Sequence, residues 1–315
     1  MTGALLGGIE LGGTKVVCVV GYGPEDVRAV ERHPTTTPDE TLAWAVTRLQ
    51  AYQADHGPLV AVGLATFGPV DLRPDAPSYG RLLDTPKRRW AGADVVGPVR
   101  SAFPGLPVGV GSDVDGAALA EGAAGAARDL RDYAYVTIGT GVGMGIVVDG
   151  ALVHGLLHPE MGHVTVPRQP GDTYQGSCFA HRDCLEGMAS GTAMAARWGC
   201  PPDELEGDRL EAALALEARY LAAGLRNAVY AFAPERIVLG GGVAQMPGLV
   251  ERVRRELAVS LGGYPGLAEY GRPNFVVAAG LGDRAGPAGA LVLATTAARA
   301  ARVIVSPEED DKPSR

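Results

Sequence analysis

The sequence has few cysteines, a deficit of positive charge, no long hydrophobic run and neither common nucleotide fingerprint. Four cysteines in 315 residues are too few for a disulfide scaffold. Lys and Arg total 28 against 36 Asp and Glu, a formal net charge of −8, so a reader of nucleic-acid backbone, which needs a basic face, is excluded. No apolar stretch approaches the ~18–20 residues of a membrane span. The start, MTGALLGGIELGGTK, lacks the basic region and cleavage site of a signal peptide. A soluble, cytoplasmic protein is expected, with neither nucleic acid nor membrane as a partner.

Glycine is present in excess. It occurs 45 times in 315 residues, about twice the usual ~7%, which implies many tight turns and backbone that approaches something closely. Apolar residues at 46% and charged residues at 20% are those of a globular chain. At roughly 150 residues per domain the length allows two lobes.

Strand-forming runs at Gly8–Glu10 and Val16–Val20 flank Leu11-Gly12-Gly13-Thr14-Lys15, the pattern of a hairpin. The pattern returns about 128 residues later, with Tyr135–Ile138, a Gly139-Thr140-Gly141-Val142-Gly143 turn and Met144–Val148. This weak internal repeat predicts two lobes of related topology facing a shared cleft. Helices are expected over Thr41–Tyr52, Gly116–Ala127, Asp208–Phe232 and Gly286–Ala301. Further strands are expected over Leu59–Ala65, Pro107–Gly111, Arg236–Leu239 and Asn274–Ala278. Strands alternating with helices give an α/β fold.

Three glycine clusters follow strands, at residues 12–13, 139–143 and 240–242. Turns of this kind hold outward N–H groups that bind phosphate oxygens, although a glycine turn alone is equally a structural hairpin. No G-x-x-x-x-G-K-[ST] is present, and Gly139–Gly145 fails G-x-G-x-x-G at its last position. Lys15 and the hydroxyls of Thr14 and Thr140 add charge and donors, and Glu10 is placed to hold a magnesium ion through water. Cys178, His181 and Cys184 form C-x-x-H-x-x-C, and with His163 they make a two-thiolate, two-imidazole set that suits tetrahedral zinc. The competing readings are a Cys178–Cys184 disulfide or free thiols. Residues 168–176 lack regular-structure signals, and a metal would order them. Cys18 and Cys200 read as buried apolar residues.

On these residues the sequence resembles the ROK family of sugar kinases and related repressors. GIELGGTK, DVDGAALAEG, TIGTGVGMG, HPEMGH, CFAHRDCLEG and IVLGGGVA occur in the family's order from Gly7 to Ala294. ATFGPVD, TPK and C-x-x-H-x-x-C point to its bacterial fructokinase branch. The resemblance implies a two-lobed actin-like, hexokinase-like ATPase fold (ribonuclease H-like) with an interlobe cleft, a zinc-binding loop and a homodimer. The lobes implied are 1–115 with 288–305, and 116–287 with the zinc loop at 163–184; a disordered tail would span 306–315.

The resemblance also implies roles. Asp113 matches the catalytic base. Gly12, Gly13, Thr14 and Lys15 match the first phosphate turn, Gly139, Thr140, Gly141 and Gly143 the second, and Gly240, Gly241 and Gly242 the adenosine-side loop. Gly68, Pro69, Glu160, His163 and Glu186 match the sugar side, and His163, Cys178, His181 and Cys184 the zinc ligands. The cofactors implied are ATP, Mg2+ and Zn2+. Without the motif context, Asp113 reads as a helix N-cap, Glu160 and Glu186 as solvated loop carboxylates, and Arg88 and Arg89 beside Lys87 as a solvated basic turn, with a phosphate contact as the alternative. Asp115 stands where the family has Asn, which raises the pKa of Asp113 or alters hydroxyl recognition. The activity implied is ATP-dependent phosphorylation of fructose, with glucokinase, mannokinase and N-acetylmannosamine kinase as alternatives. A sugar-responsive repressor is disfavoured by net charge and by a first phosphate turn within 15 residues of Met1.

Overall fold

A computed structural model of the chain describes residues 4–85 and 87–304. The expected tail at 306–315 lies outside the described residues. The chain forms two compact units, one running to Ala120 and resuming at Arg284, the other spanning Glu121–Asp283.

The first unit is built on five strands, β1 (Leu5–Leu11), β2 (Lys15–Gly23), β3 (Asp26–Pro34), β4 (Leu59–Thr66) and β5 (Val108–Ser112). Their order is β3-β2-β1-β4-β5. The β1–β2 hairpin is antiparallel from Leu6↔Gly21 to Leu11↔Val16, and β4 and β5 run parallel to β1. Val16 to Val20 are all buried, which explains an unbroken β-branched run where a strand with one wet face would alternate. Strand β3 carries no hydrophobic pattern, since most of its residues are exposed. It is a charged edge strand, which blunts the sheet margin against further pairing.

Helix α1 (Pro38–His56) is opened by Thr37, whose side chain accepts from the Glu40 N–H, with Pro38 in the first turn. Helix α8 (Ala285–Ile304) lies directly on the sheet because glycines admit its backbone. A Cβ at Gly63 would stand 1.8 Å from the Ala290 carbonyl oxygen, and one at Gly109 2.3 Å from that of Leu293.

In the second unit the strands are β6 (Tyr133–Ile138), β7 (Val142–Val148), β8 (Ala151–Leu152), β9 (Arg236–Gly240) and β10 (Val276–Ala278). Their order, β10-β9-β6-β7-β8, is that of the first sheet read from its opposite edge. In both, two antiparallel pairings follow the first strand and two parallel pairings flank it. The internal repeat is therefore a repeat of topology. Helix α6 (Gly207–Phe232) buries Leu214, Leu221, Leu225 and Val229 along one face, and α7 (Leu249–Leu261) packs on it with Leu249, Val253, Leu257 and Leu261. Buried Glu121 accepts from the N–H groups of Ala126, Gly280 and Leu281, which supplies partners for loop amides that would otherwise be orphaned.

Substituting Gly63→Ala is expected to cost about 2–3 kcal/mol or more, because the added methyl meets helix backbone that cannot rotate away. Urea denaturation measures it, and a midpoint equal to that of the parent protein would show that α8 is not seated against β4 as described.

Candidate functional site

The ends of the parallel strands set the geometry in the first unit. Leu11 pairs with Thr66 and Thr66 with Ser112, so β1, β4 and β5 finish level and the three following segments leave from one margin. Strands lie about 4.8 Å apart, which puts the exits of β1 and β5 roughly 10 Å from each other. The first exit is the glycine turn. Gly12 donates to the Lys15 carbonyl at 2.9 Å, and Lys15 is exposed at the start of β2. Thr35, which the sequence did not single out, donates its hydroxyl to the Gly12 carbonyl at 2.8 Å and its N–H to the Thr14 carbonyl at 3.0 Å. At the second exit, Phe67 donates to the Leu11 carbonyl at 2.8 Å and is followed by half-buried Gly68 and Pro69, joined by a cis peptide bond.

At the third exit stands Asp113, the first residue of helix α3 (Asp113–Ala124). It is not the N-cap. The Ser112 hydroxyl accepts from the Asp115 N–H at 3.1 Å, and the Asp115 carboxylate accepts from the Ser112 N–H at 3.4 Å, a reciprocal capping box. Asp115 is thereby a buried structural acceptor, and the carboxylate of Asp113 is left free of the cap. Burial pushes the Asp113 carboxyl up to about 7, with the charges of Glu10 and then Asp115 adding to the rise and the Val114 N–H opposing it. The repulsion expected from Asp115 is present but smaller than that from Glu10. Glu10 itself is admitted by Gly286 in the first turn of α8, where a Cβ would fall 2.2 Å from its carboxyl carbon.

Lys87 also reaches this margin. Its Cε lies 3.2 Å from where a Cβ on Gly13 would sit, while Arg88 and Arg89 are exposed, as a solvated turn requires.

In the second unit Thr137 pairs with Gly240, so β6 and β9 also finish level and bring Gly139–Gly143 beside Gly240–Gly242. Gly241 has φ +84° and a Cβ there would meet the Ile138 carbonyl oxygen at 2.4 Å; both facts require glycine. Helix α5 (Gly191–Trp198) begins against the same turn, with Gly191 donating to the Gly139 carbonyl at 2.7 Å and the Thr192 hydroxyl to the Thr140 carbonyl at 2.7 Å. Together these elements line a cavity of about 600 Å3 that includes Thr140, Thr192, Pro202, Gly242, Val243 and Met246. It has two glycine turns and a helix start on one side and apolar side chains on the other, a combination that fits a base, its sugar and attached phosphates.

The four expected metal ligands converge. Donor atoms of His163, Cys178, His181 and Cys184 all lie within 4.8 Å of one another. His163 Nδ1 is 3.6 Å from Cys178 Sγ and 3.5 Å from Cys184 Sγ, and His181 Nδ1 is 3.9 Å from Cys178 Sγ. A tetrahedral zinc with bonds of ~2.3 Å to sulfur and ~2.0–2.1 Å to nitrogen would separate its S and N ligands by roughly 3.6 Å, so the donor set fits that ion. All four cysteines carry free thiols, which removes the disulfide alternative. Cys18 is buried as expected, whereas Cys200 is only half-buried.

With Nδ1 turned to the thiols, the Nε2 of His163 faces Glu160 at 4.0 Å, and Glu160 also stands 3.5 Å from buried His158. Glu186 accepts from the Val142 N–H at 3.1 Å, so it braces the second glycine turn. Residues 168–176 have an anchor made of protein alone. Asp172 accepts from the Tyr220 hydroxyl at 2.6 Å and pairs with Arg197 at 3.3 Å, and Arg197 lies over the Tyr174 ring at 4.6 Å. This anchor escaped the sequence reading because its partners lie far apart in the chain and share no motif.

Residues 6–297 match the ROK family. The chain belongs to the ROK family. It is 43% identical over 93% of its length to a fructokinase from Zymomonas mobilis, covering 97% of that protein. Among solved structures, a ROK hexokinase from Thermus thermophilus superposes with a TM-score of 0.76 at 27% identity, covering 94% of this chain and 99% of that one. A ROK family glucokinase from Streptomyces griseus, in complex with glucose and AMPPNP, gives a TM-score of 0.66 at 26% identity and covers 93% of this chain and 100% of that one. The ROK match runs through both units and takes in every element that carries a candidate site residue. The chain thus has the ROK hexokinase-like fold, with two mixed sheets and their helices. Among the described residues no helix is long and apolar enough to cross a membrane.

The Asp113 carboxyl titrates near 7 in the folded protein, against 3.8 for an ordinary aspartate, so the folded state holds its proton to higher pH. Stability from this group is therefore lost as pH rises from about 4 through about 7. Asp113→Asn is expected to melt above the wild type at pH 8 and to lose most of that advantage at pH 5. A gap in melting temperature equal at both pH values would show that the carboxyl titrates normally.

Proposed function

We propose that the chain is an ATP-dependent hexose kinase that phosphorylates D-fructose to fructose 6-phosphate. The reading is carried by Asp113, a carboxyl with a near-neutral pKa placed at the end of β5, level with the Gly12–Lys15 turn. General base catalysis is most efficient when the base titrates near the working pH. Fructose is favoured over glucose by 43% identity to a fructokinase against 26% to a glucokinase.

In the proposed step the sugar 6-hydroxyl oxygen bonds to the γ-phosphorus of ATP as the bond from that phosphorus to the ADP oxygen breaks. The hydroxyl proton passes to an oxygen of Asp113. Such transfers have a loose transition state in which positioning and charge stabilisation dominate. The Gly12–Lys15 turn and the Gly139–Gly143 turn would hold phosphate oxygens through backbone N–H groups, and the cavity beside Gly240–Gly242 would take the adenosine. A magnesium ion accompanying ATP would screen phosphate charge, with Glu10 orienting its waters.

Gly68, Pro69, Glu160, His163 and Glu186 are proposed sugar contacts. Glu186 spends one oxygen on the Val142 N–H, and its other oxygen would accept a sugar hydroxyl. A zinc ion on His163, Cys178, His181 and Cys184 would lock the His163 ring with Nε2 toward the sugar, a positioning role. A cytoplasmic homodimer belongs to the same reading, on the resemblance alone.

Coupled ADP release with fructose, glucose, mannose and N-acetylmannosamine at equal concentration tests the substrate; a preference for another hexose would move the assignment within the ROK kinases. Asp113→Asn is expected to lower kcat by about 10²–10⁴ with little change in either KM, and turnover within a few-fold of the parent would refute the base. Wild-type kcat/KM should fall as pH drops through about 7, as the Asp113 base takes up its proton. Cys184→Ser is expected to lose bound zinc, measured by elemental analysis, and to raise the fructose KM. Metal-free protein with an unchanged KM would remove the metal from substrate positioning.

A further inference from the structure

Lys87 belongs to the TPK segment, to which neither the resemblance nor the comparisons assign a role. Its side chain lies on the first glycine turn, with Cε 3.2 Å from the position a Gly13 Cβ would take. The placement is built rather than incidental. Trp90, 2% exposed, closes the short helical turn Arg88–Trp90 by donating its backbone N–H to the Lys87 carbonyl at 2.7 Å. Its indole N–H donates to the Thr36 carbonyl at 3.0 Å, and its ring meets Phe67 edge-on at 5.4 Å. Both contacts lead back to the glycine turn. Phe67 donates to the Leu11 carbonyl, one residue before Gly12, and Thr35, beside Thr36, holds the carbonyls of Gly12 and Thr14. Thr85, two residues before Lys87, is buried.

The lysine is therefore tied through Trp90 to the structure that shapes the turn. Among the described residues its ammonium has no ion-pair or hydrogen-bond partner. A flexible lysine held over a backbone turn by a buried tryptophan, with no carboxylate to answer it, calls for an anion at that place. A Cβ at residue 13 would meet this side chain and no other atom, so the stem of Lys87 lies close to the turn's backbone.

We propose that Lys87 contacts the terminal phosphoryl group of the nucleotide on the Gly12–Lys15 turn, neutralising charge that grows on its oxygens during transfer. The proposal rests on the kinase reading above. A point charge aimed at a phosphoryl group acts most strongly where charge develops, so its removal falls on turnover more than on ground-state binding of the sugar. It also distinguishes three phosphates from two, because ADP lacks the group that Lys87 would meet.

The test compares Lys87→Met, Lys87→Gln and Lys87→Arg with the parent in calorimetric titrations of Mg–ADP and of a non-hydrolysable Mg–ATP analogue, alongside steady-state kinetics. For the two neutral variants, ADP affinity is expected to stay within about twofold while analogue affinity falls about tenfold, near the 1.4 kcal/mol of one order of magnitude. Their kcat should fall by roughly 10²-fold with the fructose KM little changed, and Lys87→Arg should recover most of it. Equal weakening of ADP and analogue, or no weakening with kcat within threefold of the parent, would overturn the proposal. Should the parent phosphorylate no sugar on the panel, the kinase reading fails, yet the comparison of ADP with the analogue still decides whether Lys87 meets a third phosphate.

Discussion

Parallel strands that stop at the same register are the constraint on which the sites depend. In the first sheet Leu11, Thr66 and Ser112 form one row, and in the second Thr137 and Gly240 do the same. The glycines under α8 lock the register, because a slip of β4 or β5 by one residue would drive a side chain into helix backbone. Everything placed at the margin inherits that precision. The glycine turn, the Gly68–Pro69 segment and Asp113 are loop or helix-start residues, yet their origins are fixed by the hydrogen-bonded ladder.

Three carboxylates near the first margin show how environment divides labour. Asp115 is committed to the Ser112 capping box, and Glu10 occupies the space left by Gly286. Asp113 takes the consequence, since it is half-buried beside negative neighbours, and burial above all holds its proton to about pH 7. Had Asp113 been the cap, further N–H donors beyond that of Val114 would have drawn its pKa down. With the cap on Ser112, the raised pKa of Asp113 survives.

Much of this was legible in the sequence, for identifiable reasons. Long elements with buried faces announced themselves, as Leu214, Leu221, Leu225 and Val229 did for α6, and so did the glycine turns and the metal quartet, whose chemistry is local in sequence. What escaped was set by distant partners. Strand β3 has no apolar alternation because it is an exposed edge, and α7 passed unread despite Leu249, Val253, Leu257 and Leu261 at helical spacing. Helix α3 begins three residues earlier than its alanine run suggested, because a capping box and not composition starts it. Thr35, Trp90 and the Asp172–Arg197–Tyr220 anchor act across 23 to 54 residues of chain, and no spacing rule reveals such pairs.

The repeat shows where function parted from architecture. Both sheets share one topology, and both place a glycine turn after their first strand, so the glycine turn comes with the plan itself. The strand corresponding to β5 in the second sheet is β10, and it ends at Ala278 before Ala279-Gly280-Leu281. No carboxylate stands directly at its end, and the next acid is Asp283, within the short turn Gly282–Arg284. Gly280 and Leu281 instead donate their N–H groups to Glu121, so the equivalent exit serves packing. A duplicated plan thus carries two glycine turns, with a carboxyl directly at the end of β5 and none directly at the end of β10. The two exits therefore carry different chemistry on one plan: a carboxyl with a raised pKa at the first, and amide donors committed to a buried glutamate at the second.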